Sequence, residues 1–306
     1  SRDVDVLILG AGPAGVTAGI YCAQAKLETV MVDLALGGGN VATTHLVSNF
    51  PGFPEPMPGY LLADHMVTQA KLAGVVPRLA AEVTALDLEK KTVELDGLET
   101  IRAKRLILAT GSSPRVIGVK GEREFKGRGV SYCATCDAKY YEGKHVVVIG
   151  GGNSAIEESL FIARFAARIT IVNQFASLQA NAHAQAQARA EPKIEFRLAT
   201  QPREFLSRGG KGVDGVLVED LETHEQYTLD CDGVFVFAGM VPNLEGFEGK
   251  LALDAWGYVK VDDELHTSVP GVFAIGDVAA KKFRQITTAV SDGTIASMAL
   301  AKELAA

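Results

Sequence analysis

The stretch Val4-Asp5-Val6-Leu7-Ile8-Leu9-Gly10-Ala11-Gly12-Pro13-Ala14-Gly15 decides the fold. Its apolar run reads as a buried strand, its glycines as a turn, and the following Ala14 to Ala25 as a helix. A second apolar run, Thr29 to Val32, completes a strand-helix-strand unit of a parallel sheet. In Gly10-x-Gly12-x-x-Gly15 the first glycine makes the tight turn, the second lets backbone approach a pyrophosphate, and the third lets helix pack on strand. A phosphate would then meet the free N–H groups and positive dipole end of the helix. Asp33, about twenty residues further on at the end of the second strand, is placed to bond ribose hydroxyls. Together these features predict a dinucleotide site.

The same grammar recurs. His145 to Ile149 is a β-branched run, Gly150-Gly151-Gly152 a turn, Ala155 to Phe165 a helix and Ile169 to Val172 the next strand. Between the halves, Val83 to Arg105 alternates like antiparallel hairpins and Leu106 to Gly111 is a buried strand ending in a turn. Gly111 to Val119, with Pro114, reads as a linker. Gly233 to Gly239 and Phe273 to Asp277 read as further strands, Ala180 to Ala190 as a plain helix, and the last helix runs near Ser291 to Leu304. The expected fold is α/β, with two Rossmann-like (three-layer ββα) nucleotide-binding domains, the second inserted into the first. Residues 1–115 and 242–306 make the first domain and 116–241 the second.

Composition fits a globular protein: 306 residues, 47% hydrophobic and 22% charged. A net charge of −7 argues against nucleic-acid binding, which needs a clustered cationic surface. No apolar run reaches the roughly 18–20 residues that span a bilayer, and the N-terminus has no signal-peptide layout. The expectation is a cytoplasmic enzyme, not associated with membrane, whose initiator methionine is trimmed or replaced. The four cysteines, Cys22, Cys133, Cys136 and Cys231, are too sparse for a secreted disulfide scaffold. Zinc would want two further ligands beside the C-x-x-C. Cys22 lies in a helical pattern, Cys231 precedes a buried-looking strand, and His45, His65, His145 and His183 fall at no metal-ligand spacing. No metal is expected.

Cys133-Ala134-Thr135-Cys136-Asp137 lies just before the second glycine unit. Beside a flavin, such a pair offers a two-electron dithiol/disulfide couple, with Asp137 as a candidate proton donor and acceptor. The plainer reading is a cross-linked turn. At these residues the chain resembles the bacterial low-molecular-weight thioredoxin reductases. The resemblance extends through Gly37-Gly38-Gly39, Asn49-Phe50-Pro51-Gly52, Ala109-Thr110-Gly111, Gly150 to Ala155, Gly276-Asp277 and Arg284-Gln285, essentially the whole chain. It implies a homodimeric FAD enzyme acting on thioredoxin or a similar protein disulfide. It also implies that Gly10, Gly12, Pro13, Ala14, Gly15 and Asp33 hold the FAD pyrophosphate and adenosine. Gly39, Asn40, Asn49, Thr110, Gly111, Gly276, Asp277, Arg284, Gln285 and Ile286 would complete that site. Cys136 would face the flavin, Cys133 would attack the substrate disulfide, and Asp137 would manage protons.

One departure stands out. Where the family carries a His-Arg-Arg run and a further arginine, this chain has Asn173-Gln174-Phe175 and Gln179. Losing two or three charge-assisted bonds to a 2′-phosphate costs on the order of 5 kcal/mol. The expectation drawn from this is a donor other than NADPH, as in the ferredoxin-linked flavin thioredoxin reductases or the diflavin-linked disulfide oxidoreductases. A second FAD or another nucleotide would then lie against Gly150, Gly152, Asn153, Ser154, Asn173 and Phe175. Lys281, Lys282 and Arg284 put three cations near the predicted flavin edge, as a solvated loop or as a dock for an acidic carrier such as ferredoxin. The alternatives are a conventional NAD(P)H-dependent thioredoxin reductase and, from another class, a flavin-bound redox sensor.

Overall fold

The computed structural model describes residues 1–44, 46–47 and 49–306. His45, read above as an ordinary surface or packing residue, lies outside the described residues. The chain divides into two units, Ser1–Ser113 with Val241–Ala306, and Pro114–Met240.

In the first unit the strand Arg2–Leu9 pairs in parallel with Thr29–Asp33 on one side and Glu99–Leu108 on the other. Val76–Leu79 extends the sheet beyond Thr29–Asp33, and Val272–Ala274 adds in parallel to Glu99–Leu108. The hairpins predicted over 83–105 are present as Val83–Asp87, Thr92–Leu95 and Glu99–Leu108, paired antiparallel. Val6, Leu7, Ile8, Leu106, Ile107 and Leu108 are all fully buried, as strands covered on both faces must be. The helix Pro13–Gln24 has proline in its first turn, where the missing N–H costs nothing. Gly293 lets the last helix cross it closely: a Cβ there would lie 2.4 Å from the Ala14 carbonyl oxygen.

That last helix runs Ile286–Ala305, starting five residues earlier than the sequence suggests. A capping box accounts for the difference: the Gln285 side chain accepts from the Thr288 N–H, and the Gln285 N–H donates to Thr288 Oγ1 at 3.0 Å. The strand read as 273–277 ends at Ala274, because Gly276 turns into the left-handed region at φ 70° and opens a short 3-10 turn, Gly276–Val278.

The second unit holds a parallel five-stranded sheet in the order Val130–Ser131, Gly233–Val236, His145–Ile149, Arg168–Val172, Ile194–Arg197. One face packs against the helices Asn153–Ile162 and Ala182–Ala190 through Ile156, Ile162, Ala184 and Ala188. Its other face shares a core with the antiparallel strands Thr200–Leu206, Gly215–Asp220 and Gln226–Asp230 through Val147, Phe205, Val216 and Val218.

An ionic clamp ties the last helix of the first unit down. His266 Nδ1 meets Asp262 at 2.9 Å and Nε2 meets Glu303 at 2.5 Å, while Arg105 donates to the other Glu303 oxygen. Burial opposes the imidazolium, but the hydrogen bonds to Glu303 and Asp262 outweigh it and raise its pKa. A raised cationic pKa stabilises the fold fully below the ordinary imidazole range, and the contribution is lost as pH rises through the raised value. The melting-temperature gap between wild type and His266→Gln is therefore expected to be wide at about pH 5.5 and narrow at about pH 9, as read by calorimetry.

Candidate functional site

In the first unit the glycine turn is built by close backbone approach. Gly10 sits at φ 111°, and a Cβ on it would lie 2.1 Å from the Ala109 carbonyl oxygen; a Cβ on Gly15 would lie 1.9 Å from the Gly10 carbonyl oxygen. Gly12 caps the helix Pro13–Gln24 with no side-chain acceptor, and Gly39 faces it with Gly12's Cβ position 3.8 Å from Gly39 Cα. Among the described residues, only backbone lies within 4 Å of a Cβ built on Gly12, so no side chain of these crowds that point of the helix start, whose first N–H groups lack intrahelical partners. Asp33 stands beside the turn. Its Oδ2 accepts from Ala11 N–H at 2.7 Å and its Oδ1 from Ala35 N–H at 2.8 Å, which fixes the carboxylate and leaves further lone pairs for hydroxyls.

Gly276 reaches the helix start, its Cβ position 2.9 Å from Ala14 Cβ, and donates its N–H to Asp292 at 2.8 Å. Asn40 Nδ2 donates to Ser112 O at 3.0 Å, and Asn49 Nδ2 to Gln285 Oε1 at 3.3 Å. Ile286, half-buried, packs on the core behind them. Thr110 and Gly111 are clamped by Asn243, which the sequence shows only as part of a turn. Thr110 Oγ1 donates to Asn243 O, Asn243 Nδ2 to Thr110 O, and Asn243 N–H to Gly111 O, at 2.8, 2.8 and 3.0 Å. A helix N-terminus approached only by backbone at Gly12, with a fixed carboxylate beside the turn, fits the pyrophosphate and adenosine ribose of FAD.

The three cations expected near this site are largely turned inward. Lys281 pairs with Asp292, both side chains mostly buried. Arg284 lies 3.5 Å from the centre of the Tyr258 ring and reaches the carbonyls of Asp277 and Ala279. Lys282 is exposed. Burial raises the Asp277 carboxyl pKa, with Lys281 and Arg284 pulling it the other way.

The second unit holds the C-x-x-C pair. Cys133 and Cys136 are disulfide-bonded with Cα atoms 5.4 Å apart. Cys133 caps the one-turn helix Ala134–Asp137, and its sulfur accepts from Cys136 N–H at 3.2 Å and lies 3.3 Å from the Thr135 hydroxyl. These contacts suit negative charge on Cys133 once the bond opens. Cys136 is exposed and Asp137 half-buried. Upstream, Tyr132 donates its hydroxyl to the buried Glu122 at 2.7 Å, and Glu122 also accepts from Ile117 and Gly118 N–H, which braces the strand leading into Cys133. Free Cys22 and Cys231 are buried, their thiols pushed up to about 12 by burial. They are inert beside the pair.

The second glycine turn repeats the first. Gly150 sits at φ 135°, its Cβ position 2.3 Å from the Phe237 carbonyl oxygen, and Gly152 caps the helix Asn153–Ile162 with open space around its Cβ position. Ser154 is exposed, and Asn153 Oδ1 accepts from Asn181 N–H at 2.7 Å. Asn173 is buried against Gly151 and donates to the carbonyls of Phe175 and Ser177 at 3.2 and 2.9 Å. The Phe175 ring is about half exposed.

The family model for pyridine nucleotide-disulphide oxidoreductases matches residues 4–293. The chain belongs to this family, among its low-molecular-weight thioredoxin reductases. It is similar to a thioredoxin reductase of Peptoclostridium acidaminophilum, 39% identical over 300 residues that cover 96% of this chain and 94% of the relative. A thioredoxin reductase of Bacillus subtilis is 39% identical over 296 residues, 97% and 93% of the two chains. The crystal structure of Lactococcus lactis thioredoxin reductase matches with TM-score 0.93 and 34% identity over 99% of both chains. The chain is thus an oxidoreductase with the two-domain fold of its family, a family that implies FAD. Among the described residues, no helix is long and apolar enough to cross a membrane.

These findings correct the expectation about the electron donor. A family defined by a pyridine nucleotide, with relatives named thioredoxin reductase along nearly the whole chain, supports the conventional NAD(P)H reading and not a ferredoxin-linked or diflavin branch. The judgement that NADPH is an unlikely donor falls with it. Physically, the missing arginines bear on contacts to one phosphate, whereas the second glycine turn keeps the close backbone packing on which a dinucleotide site is built.

Sequence inspection also passed over Glu158. The helix Asn153–Ile162 packs against the short helix Ala134–Asp137, and burial, with Glu157 adding repulsion, pushes the Glu158 carboxyl up to about 7. The adjacent pair Glu157-Glu158 was the available signal, since a helix that buries one face turns one of two neighbours inward. An acid whose folded pKa is raised loses stability as pH climbs from its unfolded value to the folded one. Glu158→Gln is therefore expected to exceed wild type in stability by on the order of 2 kcal/mol at about pH 8, with the gap closing near pH 4.5, by urea denaturation.

Proposed function

We propose that this protein is a conventional NAD(P)H-dependent thioredoxin reductase. The reaction passes two electrons from the reduced nicotinamide to a protein disulfide, which takes up two protons and becomes a dithiol. The reading rests on one observation above the others: a Cys133–Cys136 disulfide whose Cys133 sulfur is already held by N–H and hydroxyl groups, in a chain with two glycine turns.

In this reading the first unit binds FAD and the second the pyridine nucleotide. FAD, when bound, relays the electron pair between the nicotinamide and the disulfide. Gly10, Gly12, Pro13, Ala14 and Gly15 present backbone to its pyrophosphate, and Asp33 takes the ribose hydroxyls. Gly39, Asn40, Asn49, Thr110, Gly111, Gly276, Asp277, Arg284, Gln285 and Ile286 line the remainder. In the second unit Gly150, Gly152, Asn153 and Ser154 receive the dinucleotide.

Once reduced, Cys133 attacks the thioredoxin disulfide, and its thiolate is favoured by Cys136 N–H and the Thr135 hydroxyl. Cys136 then attacks the mixed disulfide, releasing reduced thioredoxin and restoring the Cys133–Cys136 bond. Asp137, adjoining the pair, carries the proton to the departing thiolate. The enzyme works as a homodimer in the cytoplasm.

Anaerobic addition of NADPH to the FAD-loaded protein is expected to bleach the flavin absorbance, and thioredoxin is expected to be turned over. Cys133→Ser and Cys136→Ser should each lower thioredoxin reduction at least about a thousandfold while flavin bleaching persists. Bleaching by dithionite but not by the nicotinamide would overturn the proposal.

A further inference from the structure

The two units carry the same turn with different side chains at one position. In the first, the strand Thr29–Asp33 ends on a carboxylate that bonds the Ala11 N–H within the glycine turn. In the second, the strand Arg168–Val172 is followed by Asn173, whose side chain packs on Gly151, the residue equivalent to Ala11. This strand end is where a dinucleotide fold reads the adenosine ribose. A carboxylate there holds the 2′-hydroxyl and repels a 2′-phosphate, and arginines do the reverse.

Here neither charge is offered. The Asn173 amide is spent on Phe175 O and Ser177 O. Gln174 and Gln179 are exposed and neutral, and the Gln179 amide turns back to Ser177 O. The segment is zipped to the next strand end: Asn173 N–H donates to Arg197 O, Ala199 N–H to Phe175 O and Thr200 N–H to Asn173 O. That pairing brings in one guanidinium, Arg197, but it lies 3.8 Å from Glu195, which also holds Arg168 and Thr170. Its charge is already opposed.

From this we infer that the nucleotide groove discriminates weakly between NADPH and NADH, because the strand end that reads the ribose offers neither a carboxylate nor an unopposed cation. The inference rests on the NAD(P)H reading above and deepens it. Each charge-assisted bond to a phosphate is worth roughly ten- to a hundredfold in affinity, and a carboxylate would impose a comparable bias the other way. With both absent, the turn and helix N-terminus, which bind what the two dinucleotides share, set the affinity.

The test uses the FAD-loaded full-length protein with thioredoxin as acceptor. kcat/KM for NADPH and NADH is expected to agree within about tenfold, and calorimetric Kd values for adenosine 2′,5′-bisphosphate and 5′-AMP within the same factor. The double variant Gln174→Arg, Gln179→Arg should lower KM for NADPH at least about tenfold and leave KM for NADH within about twofold. A wild-type preference beyond about tenfold in either direction overturns the inference. If Arg197→Ala abolishes such a preference for NADPH, Arg197 is the phosphate ligand instead. Bleaching by neither dinucleotide, with dithionite still effective, overturns the parent reading and this inference together.

Discussion

Backbone packed on backbone at the two glycine turns is the constraint on which the rest depends. Gly10 lies against the Ala109 carbonyl, Gly15 against the Gly10 carbonyl, and Gly150 against the Phe237 carbonyl, all at separations no side chain tolerates. The neighbouring parallel strand therefore ends level with the turn, and the following helix starts at once, its first N–H groups left without intrahelical partners. Asp33 in one unit and Asn173 in the other inherit their positions from that geometry. Their chemistry is then free to differ without disturbing the fold.

Burial governs where the charges of the first unit go. A cation taken out of water needs an anion or an aromatic face in return. Lys281 finds Asp292 and Arg284 finds Tyr258, so a run that looks basic in the sequence contributes little free positive charge at its surface. Asp277, between them, is desolvated more than it is compensated, and its carboxyl is correspondingly harder to ionise.

What could be read in the sequence was what local pattern determines. The parallel strands, both glycine turns, the hairpins over 83–105 and the linked cysteines all follow from periodicity, glycine placement and spacing. The start of the last helix did not, because Ile286-Thr287-Thr288-Ala289-Val290 is rich in β-branched residues that resist helix, and its cap is Gln285 with Thr288 in place of the usual serine and glutamate. Nor could local pattern show the Asn243 clamp on Thr110, which joins residues 133 apart in sequence, or the inward turn of Glu158. These depend on tertiary neighbours.

The donor expectation failed for a related reason: it took the loss of a selective contact for the loss of the ligand. A pyrophosphate held by a glycine turn is held by backbone, and no substitution at 173–179 removes those N–H groups. Arginines at a strand end add affinity for one phosphate and thereby choose between two dinucleotides that otherwise bind alike. Glutamine and phenylalanine in their place, at 174, 175 and 179, take away contacts to that one phosphate and leave the glycine turn as it is. Side chains at the rim set which nucleotide is preferred; the backbone beneath sets that a nucleotide binds at all.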